Sequence, residues 1–290
     1  MLDNYQNEQV IVLPISQIKP FEHHPFEVRD DESMRETVQS VKEYGVLSPV
    51  IVRPHENGDY EMISGHRRMR ACEIAGIKYV PAIVRDVNRD VAIEMMVDSN
   101  LQRENILPSE KAKAYKMKLD AQKRQGKRND LTCDQLGHKL AGKKTVEKLA
   151  EEVGESKTQI LRYIRLNDLS TPLQKLVDEK KMGFTTAVEI SYLKPEEQAL
   201  LVETIESEQA IPSRAQAKRM RDLSKIGKLN DDRMLDIMME QKKPPSRNIV
   251  LNAERIDKLF PKSYTNEQIE AIIYKVLEGV IKRKQQSQNR

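Results

Sequence analysis

Residues 60–71 read YEMISGHRRMRA and combine a strand pattern, a glycine and the start of a basic helix. Without a Cβ, Gly65 lets the backbone N–H groups at the start of the following helix face an anion closely. Arg67 and Arg68 add forked donors that match phosphate oxygens. The stretch therefore predicts a polyphosphate site at a strand-to-helix corner. A turn followed by a solvated basic helix is the alternative interpretation.

Around this corner the chain alternates between strand and helix patterns. Strands are predicted at 10–13, 49–53, 60–63 and 79–85, and helices at 31–44 and 67–75. The second and third strands would form a hairpin through Asn57-Gly58. These patterns predict a small α/β unit.

After residue 88 the strand patterns stop. Helices are predicted at 89–101 and 109–125, the second ending at Gly126, and the polar segment 127–144 is a linker candidate. A further boundary is expected near Ser246, after two prolines. The fold class is thus α+β, with an α/β domain at 1–106, an all-α helix-turn-helix domain at 107–206 and a helical region at 207–290.

Composition favours a charge-rich, largely helical protein. Of the 290 residues, 32% are charged and 38% hydrophobic, enough for several modest cores. The net charge of +4 is weak evidence for DNA binding at this length, so the clustering of the charges matters more. Apolar runs are too short for a membrane span, which predicts a cytoplasmic protein with no membrane partner. Cys72 and Cys133 lie too far apart in sequence to indicate a disulfide framework or a zinc site.

A second segment, residues 98–105, carries side chains suited to phosphates and a hydrated divalent cation. Asn100 and Gln102 offer neutral oxygens, Arg103 offers a guanidinium, and Asp98 offers a carboxylate. Glu104 and Asn105 have a simpler alternative role, which is to cap the next helix.

Residues 146–164, VEKLAEEVGESKTQILRYI, fit a helix-turn-helix. Gly154 suits the left-handed turn and Ser156 suits the cap of the second helix. Side chains of the second helix would reach base edges, and nearby lysines would contact phosphates. The predicted DNA-binding residues are Lys144, Lys157, Thr158, Gln159, Arg162 and Tyr163. Packing is the alternative role of Tyr163. For the whole segment, the alternative interpretation is a helical hairpin with a solvated basic face.

Three boxes in this order resemble the ParB/RepB family of DNA-partition proteins. They are 46–53 (VLSPVIVR), 64–71 (SGHRRMRA) and 100–106 (NLQRENI), and the similarity continues through the helix-turn-helix. The resemblance implies a ParB/sulfiredoxin-like N-terminal domain that binds CTP and Mg2+, followed by a domain that binds a centromere-like palindrome in double-stranded DNA. It further implies a homodimeric clamp, a ParA-type ATPase partner and association with the nucleoid. The DNA partitioned would be a chromosome, a plasmid or an integrated mobile element.

Carried onto this sequence, the resemblance implies a defined set of ligand contacts. Asn100 would lie near the metal, with Asp98 as a second candidate. The implied nucleotide-binding residues are Gly65, His66, Arg67, Arg68, Asn100, Gln102 and Arg103.

Two positions depart from the family pattern. Ser99 stands where the family usually has a Glu that supports metal binding and hydrolysis, and Asp98 points about 100° away from it on a helix. Any CTPase activity is therefore expected to be weak or absent. Ser48 replaces a common Gln, which bears on selectivity for cytosine.

Three functions remain open on the sequence. The leading one is a CTP-gated partition clamp. A nucleotide-independent transcription regulator with the same architecture is favoured by Ser99. A ParB-type nuclease is the third, although the sequence has no dense acidic cluster for two metals. A sulfiredoxin-like redox enzyme is rejected, because Gly65 stands where its catalytic Cys would precede the His-Arg pair.

The C-terminal segment 266–283 has an amphipathic helical pattern. Thr265 and Gln268 suit a capping box at its start. An apolar stripe follows, formed by Ile269, Ile272, Ile273, Val276, Leu277 and Val280. This stripe would pack either within the chain or against a second copy, as in a dimer.

Overall fold

A computed structural model describes residues 9–103, 105–129, 138–240, 259–261 and 264–288 of the chain. It divides into two compact units, Met1–Glu240 and Gln241–Arg290. The domain bounds predicted from the sequence, at residues 106 and 206, stay predictions.

The first unit begins with a five-stranded mixed sheet. Its strand order is β1-β5-β3-β4-β2. The outer pair β1/β5 and the pair β3/β4 are antiparallel, whereas β5/β3 and β4/β2 are parallel. The strands are β1 (Val10–Pro14), β2 (Ile18–Lys19), β3 (Val50–Pro54), β4 (Tyr60–Ser64) and β5 (Tyr79–Val84).

Helices cover both faces of this sheet. On one face lie α1 (Glu32–Tyr44) and α2 (His66–Ala75), with Met34, Val38 and Val41 of α1 buried as its periodicity predicts. On the other face lie α3 (Arg89–Leu101) and α4 (Pro108–Asn129), which share a core with Ile63 of β4. Because β4 ends at Ser64 and α2 begins at His66, the predicted corner at Gly65 joins the sheet to the helical layer of α1 and α2.

The rest of the first unit is helical in its described residues, as predicted. A core formed by residues such as Leu173, Ile190, Leu201 and Met220 joins the helices behind α5 and α6. The helices are α5 (His138–Val153), α6 (Lys157–Arg165), α7 (Thr171–Asp178), α8 (Phe184–Ile190), α9 (Pro195–Glu208), α10 (Arg214–Lys225) and α11 (Asp231–Met239). The α+β class is confirmed.

Two predicted boundaries are wrong. Helix α4 does not end at Gly126 but continues to Asn129, and α5 already begins at His138. The predicted linker 127–144 is therefore helical at both ends. A glycine costs a helix only about 1 kcal/mol, which the turns around it can offset. The middle of the linker, 130–137, and the boundary near Ser246 lie outside the described residues.

The second unit contains the helix α12 (Asn266–Gln288). The capping box is confirmed, because the Thr265 backbone N–H donates to Gln268 Oε1 at 3.0 Å and the Gln268 N–H donates to Thr265 Oγ1 at 3.4 Å. Val276 and Leu277 are exposed, so part of the apolar stripe is uncovered within the chain. Among the described residues, no helix has the length and apolarity needed to cross a membrane.

Candidate functional site

The strand-to-helix corner is built around Gly65. Its φ of 109° lies in the left-handed region, and its carbonyl accepts the first hydrogen bond of α2 from Met69 N–H at 2.9 Å. A Cβ added at this position would stand 2.7 Å from Val50 Cγ1. Both the backbone conformation and the lack of space beside Val50 therefore require glycine here, at the positive N-terminus of α2.

Arg67 and Arg68 leave this corner in different directions. Arg67 donates from Nη2 to Ser33 Oγ at 3.1 Å and to Asp31 Oδ1 at 3.5 Å, at the start of α1. Arg68 donates from Nη1 to the carbonyls of Ser48 and Pro49, the latter at 2.6 Å, and burial lowers its pKa. Arg67 is thus available at the corner with weak partners, whereas Arg68 holds the loop before β3.

Arg103 reaches the same corner from the end of α3. Burial lowers its pKa, and the neighbouring charge of Arg67 lowers it further, so the two guanidinium groups lie within electrostatic reach. Asp31 acts on Arg67 and Glu110 acts on Arg103, and an anion between the two guanidinium groups would lower their repulsion further. The structure therefore brings Gly65, Arg67 and Arg103 into one cationic cluster.

His66 stands beside this cluster and is stacked on His24. The ring centroids lie 3.8 Å apart, and both Nε2 atoms are buried with no hydrogen-bond partner in the part of the chain that the structure describes. Burial, then His24 and Arg103, lower the pKa of His66 to about 3. Burial is also the main cause that lowers the pKa of His24. Both rings are neutral at physiological pH.

Asn100 is the buried polar residue of the second segment. Its Nδ2 donates to the Met96 carbonyl at 2.7 Å, while its Oδ1 is buried and has no partner among the described residues. Ser99 donates its own hydroxyl to the same carbonyl at 2.9 Å. An amide oxygen without a partner among the described residues has the chemistry of a ligand to a hydrated divalent cation.

Asp98 and Gln102 face another direction. Asp98 Oδ1 accepts a hydrogen bond at 2.6 Å from the buried Lys118 Nζ, which also contacts Glu152 Oε2 at 2.8 Å. Asp98 and Gln102 line a cavity of about 440 Å³ between α3, α4 and the helix-turn-helix. In this arrangement Lys118 engages Asp98, so Asn100 is the better placed of the two metal candidates. Among the described residues, no three His, Cys, Asp or Glu side chains form a metal cluster.

The helix-turn-helix forms from α5 and α6 as its spacing predicts. Gly154 takes a φ of 68°, and Ser156 Oγ accepts from the Gln159 N–H at 3.2 Å to cap α6. Leu149 and Ile160 are fully buried between the helices. The turn is held to α4, where Lys111 forms an ion pair with Glu155.

The outward surface of α6 carries two exposed residues of the predicted DNA-binding set, while Lys157 and Gln159 are half-buried. Thr158 and Arg162 are exposed, and Lys157 Nζ pairs with Glu147 Oε1 at 2.7 Å. Tyr163 instead points inward, with its ring 4.7 Å from Phe184 and 5.8 Å from Tyr115. The Lys144 side chain lies outside the described residues.

Two residues of these sites were missed in the sequence. His24 lies between the buried Phe21 and Phe26, a pattern that indicates a packed loop but not its neighbour. Lys118 lies among other lysines of α4, and its burial depends on helices distant in sequence.

Comparison with known proteins identifies the family. The family model of the ParB N-terminal domain matches residues 1–101, and that of the ParB HTH domain matches residues 139–224. The chain is 30% identical over 241 residues to a probable chromosome-partitioning protein ParB of Neisseria meningitidis, covering 79% of this chain and 77% of that protein. It is 35% identical over 172 residues to stage 0 sporulation protein J of Bacillus subtilis, covering 59% and 54%.

A C-terminally truncated ParB of Caulobacter crescentus, solved with CTP-gamma-S, is 26% identical with a TM-score of 0.31, covering 66% of this chain and 96% of that one. The fold defines a two-part protein of the DNA-partition class, with a small α/β part followed by a helix-turn-helix part. The chain belongs to the ParB family of chromosome-partitioning proteins.

Proposed function

We propose that this chain is a DNA-partition protein that binds double-stranded DNA through α6 and CTP with Mg2+ at the N-terminus of α2. It acts as a homodimeric clamp that CTP closes around DNA. The convergence of Gly65, Arg67 and Arg103 carries this proposal, because an anion site of this charge stands in the same compact unit as an outward-facing reading helix.

The nucleotide part of the proposal assigns roles to named atoms. The N–H groups at the start of α2 and the guanidinium groups of Arg67 and Arg103 hold the phosphates. Arg68 fixes the loop at Ser48 and Pro49 against the site. Asn100 Oδ1 contributes a ligand to Mg2+, which supplies charge neutralisation between the phosphates when bound.

Hydrolysis is proposed to be slow or absent. Position 99 presents a hydroxyl that is bound to the Met96 carbonyl, so it brings no carboxylate toward the metal. The same observation favours the alternative function, a regulator that binds DNA without nucleotide. The two functions differ in one property, namely whether triphosphate binding changes the protein's residence on DNA.

The DNA part rests on the exposed face of α6. Arg162 and Thr158 reach base edges in the major groove, and neighbouring lysines contact phosphates. If about six phosphates are contacted, affinity falls by about a thousandfold between about 50 and 200 mM salt.

Further partners follow from the same proposal. The exposed stripe of α12 pairs with a second copy, and a ParA-type ATPase moves the complex. The protein resides in the cytoplasm on the nucleoid. The relative from Neisseria meningitidis is named as a probable chromosome-partitioning protein, which supports a role in partition.

The experiment that tests the clamp uses DNA closed at both ends. A binding site is first selected from a random duplex library, and protein loading on it is then followed by interferometry. We expect CTP to raise loading beyond one dimer per site on closed DNA but not on open-ended DNA. Equal loading with and without CTP would favour the nucleotide-independent regulator.

A further inference from the structure

His24 has no role in the contacts described so far, and its stacking partner His66 is implied as a nucleotide-binding residue only by the family resemblance. His24 lies in the loop before α1 and His66 is the first residue of α2, so two distant segments bring the rings together. They stand next to Arg103, whose charge acts on both rings. The pair therefore borders the proposed phosphate site directly.

Hydrogen bonding fixes the state of the His24 ring. The Phe26 carbonyl lies 2.6 Å from His24 Nδ1, and a carbonyl only accepts, so Nδ1 carries the proton. In the neutral ring Nε2 is then a bare lone pair. It is buried, and the described chain gives it no partner.

Protonation of such a ring needs an acceptor that the chain does not supply. Once protonated, His24 Nε2 becomes a donor, and a buried donor without an acceptor is unfavourable. The same holds for His66 Nε2, which is also buried without a partner. Phosphate oxygens are strong acceptors, and a triphosphate brings several negative charges to the site.

The charges around the pair also favour protonation only when an anion is bound. Arg103 faces both rings, Arg67 faces Arg103, and Glu110 offsets part of the Arg103 charge. The Phe26 carbonyl is the polar group on the loop side. In the empty site burial is the main cause that keeps both rings neutral and the charge of Arg103 adds to it, whereas a bound polyanion would reverse the local potential.

We propose that His24 is a further ligand-binding residue of the nucleotide site, and that the His24–His66 pair takes up a proton when the triphosphate binds and then donates a hydrogen bond to it. This inference rests on the proposed function. It predicts that CTP affinity increases as the pH falls toward the ordinary histidine pKa of about 6.5.

Calorimetry measures this proton directly. Mg2+-CTP and inorganic tripolyphosphate are titrated into the full chain at about pH 6, near the ordinary histidine pKa, in two buffers of different ionisation enthalpy. The difference in heat gives the protons taken up per site. We expect uptake of a substantial fraction of one proton by the wild type, decreasing at higher pH.

Variants assign the proton to the pair. His24→Gln and His66→Gln cannot titrate, so each is expected to reduce the uptake and to flatten the pH dependence of affinity. His23→Gln is the matched control, because the His23 side chain neighbours His24 in sequence but is 81% exposed. This variant should behave like the wild type. Circular dichroism checks the fold of each variant.

The outcomes separate this inference from the proposed function. Binding of CTP with the same heat in both buffers, or full uptake in His24→Gln, would overturn the inference and leave nucleotide binding intact. Failure of the wild type to bind either probe would overturn both.

Discussion

Replacing Gly65 with alanine tests the corner on which the anion site depends. The site requires a left-handed backbone at this position and space beside Val50. Gly76, at the other end of α2, also has a left-handed backbone, with a φ of 74°, but nothing lies within 4 Å of its virtual Cβ. The two glycines therefore separate backbone strain from steric overlap within one helix.

The structure gives different magnitudes for the two substitutions. Gly76→Ala adds only left-handed strain, about 1–2 kcal/mol. Gly65→Ala adds similar strain and an overlap with Val50 Cγ1 at 2.7 Å, which as overpacking costs about 1–3 kcal/mol more. Changes in the unfolded chain are similar for the two and cancel in the comparison.

Urea unfolding followed by circular dichroism measures both free energies. We expect Gly65→Ala to lower the free energy of unfolding by about 2–5 kcal/mol, because strain and overlap add. This loss should exceed that of Gly76→Ala. In a Val50→Ala background, where the overlapping methyl is gone and the closest remaining contact is Val50 Cβ at 3.1 Å, the cost of Gly65→Ala should fall toward that of Gly76→Ala. Equal costs for the two glycines in the wild-type background would refute the steric argument.

Three further perturbations follow from the structure. Lys118→Met removes the ion pairs with Asp98 and Glu152, of which Glu152 keeps Gln122 and Lys148 as partners, so the free energy of unfolding should fall by about 2 kcal/mol. Lys116→Met, on the exposed side of α4, should change it little, and equal thermal shifts for the two variants would contradict this. Arg162→Ala should weaken DNA binding in fluorescence anisotropy while Arg35→Ala, on α1, should not, and an unchanged affinity in the first would remove α6 as the reading helix. Burial lowers the pKa of His66 in the folded protein to about 3, so the unfolded chain binds more protons than the folded one below about pH 6.5. The free energy of unfolding should therefore fall as the pH drops, by up to about 2 kcal/mol at about pH 5. A fall of the same size in His66→Gln would show that another group is responsible.

Local patterns predicted much of the fold. The buried face of α1, the corner at Gly65 and the cap at Ser156 each depend on residues a few positions apart, so a single sequence suffices. Helix ends were less predictable. Gly126 has the residue type of a helix stop, but it lies inside α4, because a glycine weakens a helix without preventing it.

The features of the two sites also divide into those that the sequence predicts and those that depend on tertiary packing. Types and order of side chains predicted which segments carry anion and DNA chemistry. Directions were not predictable, because they depend on packing between distant segments. Tyr163 turns inward onto Phe184, and Asp98 turns toward Lys118 rather than toward Asn100. His24 meets His66 only because the loop before α1 folds over the start of α2.

Calorimetric titration with CTP in the presence of Mg2+, with ATP, GTP and UTP as controls, tests the central claim most directly. The wild type should bind CTP selectively, and Arg67→Ala and Arg103→Ala should lose that binding while remaining folded. The exposed Arg35→Ala variant should bind as the wild type does. Undiminished CTP binding by Arg67→Ala, or no binding of any nucleotide by the wild type, would contradict the account.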